Sequence, residues 1–230
     1  MSRPVDYDSL NHDLIVIETM VAELEAYLKS AILFWQMTPA IPTSPAAPML
    51  TIGGYLLRAY RLVGRKKELD QDQGDRLAKI RIHFEAISKE WSVHTEQRIG
   101  RELKARLNSW QWFVDDCQAN KQSCITYYAT EAELRTLIEH IIEISPRFGD
   151  LDGLLRRLRN LDAQFMHWFR PGNFVWRSEL ESVYPRERFW WLYGQPEFPR
   201  RQVKFSRQES NPRWNAGCLV GITMSKPHLC

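Results

Sequence analysis

The stretch "LIVIETMVAELEAYLKSAILFW", residues 14–35, decides the fold class. Its apolar residues recur at alternating intervals of three and four positions: Leu14, Ile17, Val21, Leu24, Leu28, Ala31 and Trp35. That spacing is typical of a helix that packs lengthwise against a partner helix. The apolar face is widened on one side by Met20, Tyr27 and Phe34, as expected in a bundle core. The stretch therefore predicts one long amphipathic helix that ends at Thr38, before Pro39.

The same periodicity predicts further helices along the chain, at about 51–67, 75–118, 130–145 and 150–170. A straight helix over residues 75–118 would be about 66 Å long, longer than most single domains. We therefore expect a kink or a break near Gly100, and a loop over residues 118–129. No period-two alternation is sustained, so no sheet is predicted. The expected fold is all-α: a bundle of about five main helices, a short aromatic C-terminal helix and an irregular basic tail.

Composition and charge divide the chain into two predicted parts. Hydrophobic residues make up 44% and charged residues 26%, which is typical of a globular protein. The formal net charge is +3, but residues 195–230 hold six Lys and Arg against two Glu. We therefore predict a single helical domain over residues 1–194 and an irregular basic C-terminal extension over residues 195–230.

A proline-rich connector is predicted at residues 38–50. Its prolines, Pro39, Pro42, Pro45 and Pro48, are three residues apart, which matches one turn of a polyproline II helix. One interpretation is a PxxP ligand for an aromatic groove. The favoured interpretation is a stiff connector between two helices, because proline-rich segments commonly serve as spacers.

The run "HTEQRIGRELKAR", residues 94–106, places polar side chains where the helix periodicity calls for apolar ones. One interpretation is a polar site inside the bundle formed by His94, Arg98 and Glu102. The favoured interpretation is a helix segment that leaves the core and is solvated on both sides, because buried charges need full pairing.

A basic patch is predicted on one face of the second helix, formed by Arg58, Arg61, Arg65, Lys66 and Lys67. Together with the basic extension it suggests nucleic-acid binding through phosphate contacts. A solvated helix face is the stronger interpretation, because no nucleic-acid reading motif accompanies the patch.

No catalytic motif is present. The chain lacks the GxxxxGK[ST], GxGxxG, GxSxG and HExxH patterns, so no catalytic residue and no cofactor is predicted. His83 and His94 are three helical turns apart, about 16 Å, which is too far for one metal ion. Adjacent Asp115 and Asp116 diverge on a helix, and we expect at least one of them to pair with Arg186 or Arg188. The prediction therefore leans towards a protein that is not an enzyme.

The cysteines and the N-terminal residues predict a cytoplasmic protein with reduced thiols. No CxxC pair or zinc-type array is formed by Cys117, Cys124, Cys218 and Cys230. The first residues show no secretory pattern, and the longest apolar runs are far shorter than the ~20 residues that span a bilayer. No membrane association is therefore predicted.

The segment "PRERFWWLYG", residues 185–194, predicts a short helix because proline precedes it and glycine follows it. Most of its aromatic side chains would seat against the bundle, whereas Trp191 falls outside that sector and would be covered by the tail or offered to a partner. The predicted partner-binding residues are Trp191, Arg186, Arg188 and Tyr193. We accordingly predict a non-enzymatic protein that acts by protein–protein interaction or as an assembly subunit; the alternative is a helical nucleic-acid-associated protein.

Overall fold

The computed structural model describes residues 10–38, 48–145 and 151–198. Within these ranges the chain forms seven α-helices: α1 (Leu10–Ala22), α2 (Leu24–Lys29), α3 (Ile52–Gly64), α4 (Gln71–Glu90), α5 (Ser92–Ala119), α6 (Lys121–Ile144) and α7 (Asp152–Phe165). Short 3₁₀ turns cover Lys66–Glu68, Ser178–Val183 and Trp190–Leu192. The described ranges are mostly helical, and the predicted helical-bundle class is confirmed.

The bundle is built around α5 and α6, which pack against each other. Helix α3 packs on both of them, α1 packs on α3 and α4, and α7 packs on α5. Large aromatic side chains fill the interior, among them the fully buried Trp110, Tyr27, Tyr184 and Phe165. The abundance of tryptophan and tyrosine is thus largely explained by core packing.

The first predicted helix is shorter than its periodicity suggests. Leu14, Ile17, Val21, Leu24 and Leu28 are buried as expected, but the helical backbone ends at Lys29. Beyond it, Trp35 pairs with Leu50 in an isolated antiparallel bridge, with N–H to O distances of 3.2 and 2.8 Å. The prediction that the helix reaches Thr38 is therefore wrong.

Arg98 explains this early end. Its guanidinium donates to the carbonyl oxygens of Tyr27 at 3.0 Å and Ile32 at 2.8 Å, and to that of Ser30. The last carbonyl groups of a helix have no partner inside the helix. The Arg98 guanidinium supplies hydrogen bonds to these carbonyl groups, so the helix can end here without leaving them unpaired.

Glu102, one turn further along α5, caps the other helix next to the connector. Both of its carboxylate oxygens accept from the Gly53 N–H at 3.1 Å, and its Oε1 accepts from Arg106 Nε at 2.7 Å. Thr51 caps the same end by accepting from the Gly54 N–H at 2.9 Å. Glu102 is fully buried and paired with Arg106, and its carboxylate lies at the N-terminus of α3, where the helix dipole favours an acidic side chain.

The solvated-face interpretation of residues 94–106 is therefore wrong for Arg98 and Glu102, which are both buried. His94, the third member of the polar site considered, is exposed and meets the edge of the Trp91 ring at 5.4 Å. The charges are tolerated inside because each is matched by backbone groups at a helix end rather than by a ligand.

The long helical stretch breaks at Trp91, between α4 and α5, and not near Gly100. Trp91 has φ −103° and ψ 41°, and Lys29 Nζ lies 4.2 Å from its ring centroid. Gly100 continues α5 without interruption. The break is therefore at Trp91, nine residues before the glycine at which it was expected.

The loop predicted at residues 118–129 is also wrong, because α6 begins at Lys121. Asn120 alone connects the helices, and its side chain accepts from the Ser123 N–H at 3.1 Å. A disulfide joins Cys117 in the last turn of α5 to Cys124 in the first turn of α6. Both residues are fully buried, so the prediction of reduced thiols is wrong for this pair.

The structure contains a small sheet that the sequence did not predict. Strand β1 (Phe169–Phe174) pairs antiparallel with β2 (Tyr193–Pro196) through an irregular register. Gly194 has φ +152°, and a Cβ there would lie 2.2 Å from the Arg170 carbonyl oxygen, so only glycine fits. The strands are too short, and too rich in proline and glycine, for period-two alternation to appear.

Two predicted segments fall largely outside the described residues. Pro39, Pro42 and Pro45 of the connector lie there, and so does most of the basic extension, residues 199–230. Residues 195–198 continue the body, since Pro196 pairs with Phe169 and Phe198 contacts the Trp168 ring at 6.1 Å.

Replacing Glu102 by alanine tests the capping of α3. The Glu102→Ala variant leaves Arg106 and the Gly53 amide without their buried acceptor, so we expect a loss of about 3 kcal/mol in the free energy of unfolding. Urea denaturation measures this. Glu96→Ala, an exposed glutamate on the same helix, is the control and should change stability by less than about 0.5 kcal/mol. Equal effects of the two substitutions would contradict the capping role.

Candidate interaction surface

Residues 30–38 and 48–51, here called the neck, are irregular in conformation but firmly held. Glu23 accepts from the Trp35 indole Nε1 at 2.6 Å and from the Thr38 N–H at 3.0 Å. Arg101 Nη2 donates to the Ala31 carbonyl at 3.1 Å. With the Arg98 contacts and the Trp35–Leu50 bridge, these bonds fix the backbone of the neck from several sides.

The neck carries large apolar side chains on its outer side. Ile32, Phe34 and Met49 are 54%, 44% and 51% exposed. Phe34 and Met49 directly precede Trp35 and Leu50, the two residues of the bridge, so the bridge brings their backbones close together. A patch of exposed apolar side chains on a fixed backbone is typical of an interaction site.

Arginines border this apolar patch. The Arg106 guanidinium lies 5.9 Å from the Phe34 ring centroid, and Arg101 contacts the neck backbone. We define the neck surface as Ile32, Phe34, Met49, Arg101 and Arg106. Helical periodicity predicted Phe34 inside the bundle, because it assumed that the helix continued. The feature of the sequence that could have indicated an exposed apolar surface is the run "AILFW", which lies shortly before the proline-rich connector.

The predicted basic patch is placed on one face of α3, but its arginines are paired. Arg58 Nε lies 3.5 Å from Asp13, Arg61 Nη2 lies 3.3 Å from Glu133, and Arg65 Nη2 lies 2.6 Å from Glu68. Lys66 and Lys67 are exposed on the 3₁₀ turn that follows. The three guanidiniums are therefore partly neutralised by carboxylates from several elements.

The segment predicted as a short helix is a turn followed by a 3₁₀ turn and strand β2. Trp191 is 1% exposed, its Nε1 donates to Thr136 Oγ1 at 2.9 Å, and the Arg135 guanidinium lies 3.9 Å from its ring centroid. The expectation that Trp191 faces the tail or a partner is wrong. The backbone turns tightly here, so side-chain directions do not follow helical spacing.

The other predicted partner-binding residues are also mostly engaged with the body. Tyr193 is buried, and its hydroxyl donates to the Tyr184 carbonyl at 2.7 Å. Arg188 binds Glu139 at 3.2 Å and Glu143 at 2.9 Å. The pairing of Arg188 with Asp115 or Asp116 that the sequence suggested is not formed, and both aspartates are exposed. Arg186 is exposed, with its guanidinium 5.4 Å from the Tyr193 ring centroid.

His140 is a buried titratable group that the sequence did not single out. Its ring is packed among Tyr60 at 4.6 Å, Phe189 at 5.7 Å and Tyr184 at 6.1 Å. Among the residues that the structure describes, its Nε2 has no hydrogen-bond partner. Burial, together with the nearby positive charge of Arg188, lowers the pKa of His140 to about 4. The imidazole is therefore neutral at physiological pH.

Within the described ranges, no three His, Cys, Asp or Glu side chains converge as a metal site. Among the helices of those ranges, none combines the length and the apolar character needed to cross a bilayer. Comparison with protein-family models finds no match, and comparison with curated proteins and with solved structures finds no similar chain.

The lowered pKa of His140 predicts acid sensitivity. Between its ordinary value of 6.5 and about 4, the unfolded chain binds a proton that the folded protein excludes, so stability falls as the pH drops through this window. Going from about pH 7.5 to about pH 5 should cost roughly 2 kcal/mol through this group. Denaturant titrations at both pH values measure the difference.

The wild type is compared with two variants. His140→Phe should lose that part of the pH dependence. His94→Gln, which removes an exposed histidine, is the control. Identical pH profiles for the wild type and His140→Phe would contradict a neutral buried imidazole.

Proposed function

We propose that the protein is a non-enzymatic interaction module that binds a partner protein through the neck surface. The observation that carries this proposal is the exposure of Ile32, Phe34 and Met49 on a backbone fixed by Arg98, Glu23 and the Trp35–Leu50 bridge. A preorganised apolar surface loses little conformational entropy on binding, so its burial is available for affinity.

The partner's chemistry follows from the border of this surface. Phenylalanine, methionine and arginine are enriched at protein interfaces. The exposed Arg101 supplies positive charge beside the apolar side chains, and Arg106, which is paired with Glu102, lies 5.9 Å from the Phe34 ring centroid. We propose that the partner presents a short segment in which apolar side chains are flanked by carboxylates. Opposite charges at the border would favour that partner and speed its association.

The ion pairs of α3 favour a protein partner over a nucleic acid. A phosphate backbone binds where cationic side chains are free to replace its counterions. Arg58, Arg61 and Arg65 already have carboxylates within 3.5 Å, and the exposed Glu133 and Glu68 would repel the run of phosphates along a nucleic-acid strand.

Selection of binding peptides tests the proposal. The purified full chain is panned against a random peptide library, and the affinity of recovered peptides is measured by titration. We expect sequences that combine apolar and acidic residues. Phe34→Asp should weaken their binding by about tenfold or more, because it places a carboxylate at the centre of the surface.

Ile82→Asp is the matched control, since Ile82 is an exposed apolar residue on α4 with 68% exposure. Peptides that bind both variants equally well would overturn the neck surface as the site. Recovery of no peptide, together with salt-sensitive binding of unrelated DNA or RNA, would instead favour the nucleic-acid alternative.

The cellular compartment stays a separate prediction. The cytoplasmic location predicted from the sequence depended on the cysteine pattern and on the N-terminal residues, and the Cys117–Cys124 disulfide removes the first of these two arguments, because such bonds are rare in the cytosol. Alkylation of free thiols in intact cells, followed by mass spectrometry without reduction, measures the state of this pair. We expect a cross-linked peptide, and alkylation of both cysteines would contradict the disulfide.

A further inference from the structure

A second site lies between the start of α1, the C-terminal half of α3 and residues 175–180. This open cleft, here called the α1–α3 cleft, has a volume of about 780 Å³. Small-molecule sites typically occupy roughly 300–1,000 Å³ and combine apolar walls with a few convergent polar groups. The walls here include Leu10, Val175, Trp176 and Leu180.

Arg61 and Arg65 line the cleft one helical turn apart and are held in place. Arg61 Nε donates to the Tyr184 hydroxyl at 3.3 Å, and its guanidinium lies 5.0 Å from the Trp176 ring centroid. Arg65 donates to both oxygens of Glu68, at 2.9 and 2.6 Å. Since a neighbouring group already fixes each guanidinium, binding a ligand costs little further conformational entropy of these two side chains.

Both arginines retain hydrogen-bond capacity. A guanidinium has five N–H donors, and the Nη1 group of each arginine has no hydrogen-bond partner within the described residues. The two side chains are only 14% and 16% exposed, and both line the cleft, so they are largely shielded from bulk water. Two neighbouring guanidiniums with free N–H groups can bind the oxygens of a planar carboxylate or of a phosphate.

The carboxylates of the cleft do not oppose this assignment. Glu133 and Glu68 are 46% and 51% exposed, so they lie towards solvent from the arginines that they bind. The deeper Asp13 is matched by Arg58 at 3.5 Å. Arg177 and Glu179, which also line the cleft, carry opposite charges.

From this arrangement we propose that the α1–α3 cleft binds a small organic anion. Its carboxylate or phosphate group is bound by Arg61 and Arg65, and its apolar part packs against Leu10, Val175 and Leu180. The residues of this cleft are not part of the neck surface, so failure of one proposal would not contradict the other.

Four simple aromatic probes test the proposal by NMR titration of the full chain. Benzoate and phenyl phosphate represent the two anionic groups, benzamide is neutral and benzylamine is cationic. We expect at least one anion to bind about tenfold more tightly than benzamide and benzylamine, since only anions engage both guanidiniums. The ranking of the two anions distinguishes a carboxylate ligand from a phosphate ligand. Equal binding of all four probes, or preference for benzylamine, would overturn the proposal.

Variants locate the site. Arg61→Met combined with Arg65→Met should weaken anion binding by about tenfold or more, whereas Arg159→Met, at an exposed position of α7, should leave it unchanged. Glu133→Gln removes the carboxylate that competes for Arg61 without disturbing the interior. It should strengthen anion binding several-fold, and weaker or unchanged binding in this variant would contradict the assignment, even if the double variant fails to fold.

Discussion

Two buried charges on α5 organise this protein, because they stabilise the ends of the two helices that flank the connector. Arg98 stabilises the end of α2 by donating hydrogen bonds to its terminal carbonyl oxygens. Glu102 stabilises the start of α3 by accepting a hydrogen bond from the Gly53 N–H. Helix ends carry backbone groups without internal partners, and burying them unsatisfied is costly. Here one helix supplies both complements from positions four residues apart.

Both candidate sites depend on this arrangement. The end of α2 at Lys29 turns Ile32 and Phe34 outward, and Arg106 extends from the Glu102 carboxylate to the Phe34 ring. The start of α3 fixes the direction of the helix whose later turns carry Arg61 and Arg65 into the α1–α3 cleft. A polar run that interrupts the apolar periodicity thus positions surfaces on two parts of the molecule.

Local periodicity predicted the helices well and their ends poorly. Leu14, Ile17 and Leu24 are buried as their spacing indicated. The end of α2 could not be predicted, because it depends on Arg98, about 70 residues away in the chain. Trp191 was misplaced for a related reason: helical spacing was applied to a segment that folds as a tight turn and a strand, where burial depends on Thr136 and Arg135 of a distant helix.

Amide hydrogen exchange at Gly53 tests the organising role of Glu102 most directly. First-turn amides of a helix ordinarily lack a partner and exchange quickly. Because a buried carboxylate accepts from the Gly53 N–H, NMR should show this amide exchanging as slowly as the interior amides of α3. In Glu102→Ala, its exchange should become fast while α7 keeps its protection. Fast exchange at Gly53 in the wild-type protein would contradict the account.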